Sequence, residues 1–147
     1  SDAHHISAPD PSGIGAENSV RQALEHAGLA PEDIGYVNLH GTATRLNDAM
    51  EANMIDRVFG RRLPCGSTKA MTGHMLGAAG CCETGFVALA LLQGGALPPH
   101  LWDGERDPDL APIELVDDLG GKSDTSYMMS CSYAFGGNNI ALIVGRE

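Results

Sequence analysis

The chain has little with which to build a membrane segment, a metal cage or a nucleic-acid surface. Its longest apolar stretch lies near residues 86–92, FVALALL, far short of the ~20 residues a membrane span needs. Only 9 Lys and Arg stand against 19 Asp and Glu, for a formal net charge of -10 at pH 7. That balance argues against a general nucleic-acid binder or a polybasic membrane binder, both of which need clustered positive charge. Arg57, Arg61 and Arg62 could form a small basic patch, but they read better as a solvated helix terminus. The four cysteines, Cys65, Cys81, Cys82 and Cys131, include no CxxC pair, so neither a zinc site nor another metal is expected. Adjacent Cys81 and Cys82 read as small core residues. The opening SDAHHISAPDPSG has no basic start followed by an apolar run, so no secretory leader is read there. Reduced thiols and a cytoplasmic setting are the expectation.

What is present is an ordinary globular composition. With 147 residues, 43% of them hydrophobic, the chain is one domain or part of one, with enough material for a real core. Residues 1–15 read as a loop. Val20, Ala23, Leu24 and Ala27 follow helical spacing over 16–27, with Gly28 as the stop. YVNLH (36–40) reads as a buried strand. Asn47 is placed to cap a helix over 48–59, with Met50, Met54, Val58 and Phe59 inward and Gly60 as its end. PCGST is a short strand. A helix over 75–93 is apolar almost all round and is expected to be buried. Residues 94–112 form a Pro-rich connection, and IELV (113–116) is a further strand. YMMSCSY and NIALIVG around AFGGN signal a hairpin. Helices alternate with strands before a closing hairpin, so the fold class is α/β with a mixed sheet. The expected core is Val37, Leu39, Leu89, Leu92, Leu142 and Val144.

Two stretches carry chemistry. In NLHGTAT (38–44), His40 follows a strand, and strand ends in α/β proteins are where ligands bind. A hydrogen-bonded structural histidine and a site residue are both open readings there. In STKAMTGHMLGAAG (67–80), His74 lies at a predicted helix start, where the helix dipole disfavours imidazolium. A neutral histidine acting as a hydrogen-bond donor is expected. Glu83 lies inside the apolar helix that follows. A buried carboxylate must be paired, and Lys69 or His74 is the candidate partner, unless Glu83 faces water. Thr42 and Thr44 point the same way from an extended loop. They either bind an amide-bearing ligand or bond their own loop. Phe135 stands at a loop tip, which turn chemistry does not explain, and an aromatic there can gate or line a pocket.

Together and in this order, VNLHGTAT, STKAMTGHMLGAAG and AFGGNN resemble the C-terminal part of a β-ketoacyl-acyl-carrier-protein synthase, the elongating condensing enzyme of fatty-acid and polyketide synthesis. The likeness runs over nearly the whole chain. It implies the C-terminal half of a thiolase fold, a mixed five-stranded sheet with helices packed on it. It also implies an absent N-terminal half that holds the nucleophilic cysteine, because none of the four cysteines here matches that motif. By the same resemblance His40 and His74 are the active-site histidines, and Lys69 and Glu83 are the supporting pair, expected to orient His74 and set its protonation. Thr42 and Thr44 hold the phosphopantetheine arm, and Phe135 is the gate whose backbone N–H joins the oxyanion hole.

The implied reaction is a decarboxylative Claisen condensation with malonyl carrier, without cofactor. Its partners are an acyl carrier protein, the N-terminal half and a second subunit in a homodimer or heterodimer. The isolated chain is expected to be inactive. The family usually has Gly where Ala134 stands, Phe for Tyr133 and Thr for Asn138, so Ala134 is expected to alter the gate if a positive φ is needed there. TRLND, LPPHLWDGERDP and AFGGNN together resemble the aryl-polyene branch. A non-catalytic partner of the chain-length-factor type is the alternative, against which both histidines and Lys69 speak.

Overall fold

The computed structural model describes residues 1–60, 62–117 and 119–146. Arg61 therefore lies outside the described residues. Arg57 is not part of a free basic patch, because its guanidinium bonds the Glu17 carboxylate at 2.8 Å and the Ser12 carbonyl at 2.7 Å.

Helix α1 spans Ile14–Ala27 and buries Ala16, Val20 and Leu24, spaced four apart. It ends as expected at Gly28, whose φ of 66° lets its N–H bond back into the last turn. Strand β1, Ile34–Asn38, is buried throughout. Helix α2, Arg45–Phe59, begins earlier than the sequence suggests, with Thr44 rather than Asn47 at its cap position. Asn47 is instead buried in the first turn, and its amide donates to the Glu51 carboxylate one turn on. Strand β2 (Pro64–Gly66) leads to the single turn α3 (Lys69–Thr72). The helix expected over 75–93 is a 3-10 turn at Leu76–Ala78 followed by α4, Ala79–Leu92.

The Pro-rich connection hides strand β3, Ala96–Leu97. After it come β4 (Glu114–Leu115), β5 (Gly121–Lys122), β6 (Tyr127–Ala134) and β7 (Asn138–Gly145). The main sheet has five strands in the order β4-β2-β1-β6-β7. The first four run parallel and β7 pairs antiparallel to β6, which makes the sheet mixed as expected. β3 and β5 form a separate two-stranded ribbon.

Side chains alternate across a strand, so Tyr36 and Val37 serve opposite faces. On one face Val37, Leu39, Met129 and Cys131 pack with Val20 and Leu24 of α1 and Met50, Met54 and Ile55 of α2. On the other, Tyr36 and Met128 pack with Val87, Ala90 and Leu91 of α4.

The expected core needs correction. Val37 and Leu39 are buried, and Val144 packs partly buried against the α4 side. Leu89, Leu92 and Leu142 are 51%, 80% and 49% exposed. An all-round apolar helix is buried only when something covers each side. Within this chain α4 has the sheet on one side alone, touched by Glu83, Val87, Ala90 and Leu91. Cys81, Gly85, Leu89 and Leu92 form an exposed stripe on the other side, and Cys82 is half-buried. Met54→Ala is therefore expected to destabilise the chain by about 2–5 kcal/mol. Leu92→Ala should change it by no more than about 0.5 kcal/mol. Urea denaturation of both variants checks this, and equal losses would contradict the assignment of faces.

Candidate active site

The parallel strands β1, β2 and β6 deliver their ends to one place, and His40 leaves β1 there. The turn that follows is held by main-chain and buried side-chain contacts. The Leu39 N–H bonds the Gly66 carbonyl at 2.8 Å. The Glu51 carboxylate accepts the N–H groups of His40 at 2.7 Å and Gly41 at 2.8 Å. Gly41 has φ 44°, and a Cβ there would lie 2.5 Å from the Ser67 Cβ, so the turn rests directly on Ser67. Glu51 was not among the residues singled out from the sequence. The available signal was its position on the same helical stripe as Ile55 and Val58, both buried. A carboxylate on such a stripe needs a partner. Here the partners are the Asn47 amide and two backbone N–H groups, and the latter leave no trace in a sequence.

Lys69 and Glu83 come together as an ion pair, with side chains 7% and 1% exposed. The Lys69 ammonium donates to Glu83 Oε1 and to the His40 carbonyl. This settles the open question for Glu83, which does not face water. It also shows that the pair braces the His40 backbone. No hydrogen bond joins the pair to His74 among the described residues. His74 is exposed, and its Nδ1 accepts the Leu76 N–H at 3.3 Å. Hydrogen-bonded this way, the ring carries its proton on Nε2 when neutral.

The His40 and His74 rings lie 5.3 Å apart at 84°. Tyr133 meets the His40 ring edge-on at 5.8 Å. Burial, and after it the Lys69 charge and His74, lower the His40 pKa from its ordinary 6.5 to about 4. His40 is therefore a neutral imidazole near pH 7.

Both histidines open into a groove of about 980 Å³, lined also by Met50, Thr42, Thr44 and Phe135. Its walls are mostly apolar. Lys69 and Glu83 lie behind it. Thr42 and Thr44 hydroxyls sit 2.9 Å apart, so the two side chains bond each other across Ala43 at φ 58°. Phe135 is 76% exposed at the start of the 3-10 turn Phe135–Gly137. Ala134 has φ -124°, extended backbone that any residue adopts, so the expected difficulty with alanine there does not arise. The positive φ angles fall on Gly136 and Gly137 instead. Asp2 and Ile6 bond this turn through the Gly137 carbonyl and the Gly136 N–H, both at 2.8 Å. The N-terminal segment thus closes one wall of the groove.

The neutral His40 imidazole, with the His74 ring beside it in an apolar groove, offers N–H donors to an oxygen on which negative charge develops, where low dielectric strengthens them. Fold and groove together define half of a thiolase fold carrying a two-histidine site. Residues 1–102 match the model of the beta-ketoacyl synthase C-terminal domain, and the chain belongs to that family. It is 40% identical to 3-oxoacyl-[acyl-carrier-protein] synthase 2 of Staphylococcus aureus, over 97% of this chain and 34% of that protein. The Coxiella burnetii protein of the same name is 38% identical, over 99% of this chain and 35% of that protein. A chain of the solved complex between a ketosynthase and its chain length factor from Xenorhabdus doucetiae superposes with a TM-score of 0.95 at 46% identity. It is matched by 100% of this chain, over 37% of its own length. The chain thus spans about one third of the length of these relatives.

The two buried titratable groups of the turn act oppositely on stability. Above pH 6.5 His40 is neutral whether folded or unfolded. Below it the unfolded imidazole gains a proton, and the folded one does so only near pH 4. His40 therefore lowers stability progressively as pH falls between those values. Burial raises the Glu51 carboxyl from 4.5 to about 7, against the N–H groups of Gly41 and His40. Glu51 is protonated first in the folded state, so it favours folding progressively as pH falls from 7 to 4.5. Replacing His40 with Asn should leave a smaller loss of stability between pH 6.5 and 4 than in the parent chain. Denaturant midpoints at a series of pH values measure this, and parallel curves would contradict a buried neutral His40.

Proposed function

We propose that this chain is the C-terminal part of a β-ketoacyl-acyl-carrier-protein synthase, whose N-terminal part supplies the nucleophilic cysteine. The observation that carries the reading is the pair of histidine rings 5.3 Å apart in an apolar groove, with His40 held neutral. In the reaction, an acyl group moves from its carrier to the cysteine. Malonyl carrier then binds in the groove. Its carbon–carboxylate bond breaks, CO₂ leaves, and the electron pair passes into a thioester enolate. N–H groups of His40 and His74 stabilise the enolate oxygen. The enolate carbon attacks the acyl thioester, and the cysteine leaves as thiolate.

Lys69 and Glu83 act through the His40 backbone in this reading. Thr42 and Thr44 contact the phosphopantetheine arm, and Phe135 stands at the groove mouth. None of the four cysteines fits the nucleophile. Burial pushes the Cys131 thiol up to about 12 and raises that of Cys65 as well. The acyl carrier is the substrate-bearing partner. The Xenorhabdus complex with a chain length factor supports a heterodimer. TRLND and LPPHLWDGERDP favour the aryl-polyene branch.

Several substitutions in the full-length enzyme test this. His74→Ala is expected to abolish release of CO₂ from malonyl carrier. Lys69→Ala and Glu83→Ala should each impair it, because breaking a buried pair typically costs about 3–5 kcal/mol. The double variant should fall well short of the sum. Decarboxylation by His74→Ala at the parent rate, or full additivity of the pair, would refute the roles. The isolated 147-residue chain should form no acyl thioester with an acyl carrier. Mass-spectrometric detection of one on any of its cysteines would refute that part.

A further inference from the structure

His100 lies in the Pro-rich segment after β3, away from the two histidines of the groove, and the function proposed above gives it no role. Its ring is nonetheless built into the support of that site. His100 Nδ1 is 3.1 Å from the Ser67 main-chain nitrogen. The Ser67 amide always carries its hydrogen, and that hydrogen points at the ring nitrogen, so Nδ1 is the acceptor. Nδ1 also lies 3.3 Å from the Ser67 carbonyl oxygen, which places the ring edge against a single residue. The segment that carries the ring is held at several points. The His100 main-chain N–H bonds the Asp117 carbonyl at 3.1 Å, the Trp102 ring lies tilted at 38° with its centroid 6.2 Å away, and two prolines precede His100, each with φ locked. Gly66 is the residue that lets the segment approach, since a Cβ there would meet the His100 Cβ at 3.1 Å.

Ser67 in turn touches both active-site segments. Its hydroxyl donates to the Gly41 carbonyl at 3.0 Å and accepts the Lys69 N–H at 3.3 Å. Gly41 has no side chain and rests on Ser67. Two residues further on, Lys69 reaches Glu83 and the His40 carbonyl. Moving Ser67 therefore moves the turn that aims His40 and the start of the segment that carries Lys69.

We propose that His100 is a positioning residue for the condensing site, its Nδ1 accepting the Ser67 amide N–H and thereby fixing the His40–Gly41 turn and the Lys69 backbone. His100 does not line the groove, so its loss is expected to fall on turnover rather than on binding of malonyl carrier there. The proposal rests on the condensing function proposed above for its kinetic consequence, and on contacts alone for its structural one.

The test uses the full-length enzyme with three forms: parent, His100→Ala and His100→Asn. The Asn Oδ1 occupies nearly the place of Nδ1 and accepts the same N–H. A misplacement of about 1 Å arising far from the chemistry costs up to about 100-fold. His100→Ala is expected to lower kcat for malonyl-carrier decarboxylation by about 10-fold or more with KM within about twofold, and His100→Asn to restore most of the loss. Hydrogen exchange of the Ser67 amide, read on the same three proteins, should quicken in His100→Ala and slow again in His100→Asn. No decarboxylation by the parent would overturn the condensing function and leave the exchange result to decide the contact. With an active parent, unchanged kcat in His100→Ala, or His100→Asn as slow as His100→Ala, would overturn the positioning role.

Discussion

A buried ammonium holds this site together. Lys69 sits 9% exposed just after β2, with one acceptor on α4, the Glu83 carboxylate, and another at the end of β1, the His40 carbonyl. An ion pair removed from water survives only if both charges keep partners, so the three elements cannot be displaced separately. Glu83 is accordingly the polar member of the otherwise apolar face by which α4 meets the sheet. The electrostatic demand of one pair thus sets the height of α4 against β1, and with it the place of His74, which precedes α4 by one short 3-10 turn.

The second constraint is steric. Two glycines sit where a side chain would not fit. Gly41 lies against Ser67, and a Cβ on Gly137 would fall 2.1 Å from the Asp2 carbonyl oxygen. The first approach seats the His40 turn. The second draws the N-terminal segment over the groove beside Phe135. Glu51 then binds the two amides of the turn that no strand partner reaches. The result is a neutral histidine in an apolar groove, its charge suppressed by burial and by the nearby ammonium.

The outward face of α4 belongs to the same picture. Leu89 and Leu92 are exposed there, and Ile140 and Leu142 on β7 are 54% and 49% exposed. Soluble proteins rarely leave such apolar surface bare. The chain matches only about a third of the length of its relatives. In the function proposed above, the N-terminal part of the enzyme covers this face, and the hydrophobic character of α4 on every side then has its reason.

Periodicity and composition determined a great deal by themselves. α1 with its Gly28 stop, β1, the β6–β7 hairpin and the mixed sheet were all legible, because each rests on local spacing and on turn residues. The pairing of Glu83 could be anticipated as well, since a carboxylate in an apolar helix demands a partner. Lys69 was one of its two candidate partners and is the one it takes, whereas the second acceptor of Lys69 was not legible. Lys69 lies 14 residues from Glu83 in sequence and the His40 carbonyl 29 from Lys69, and a backbone carbonyl has no residue type to announce it. The same holds for Glu51 on the amides of His40 and Gly41, and for His100 on Ser67. Burial of α4 was misjudged for a related reason: a sequence shows that a helix is apolar, while only the tertiary structure decides what stands on each side to cover it.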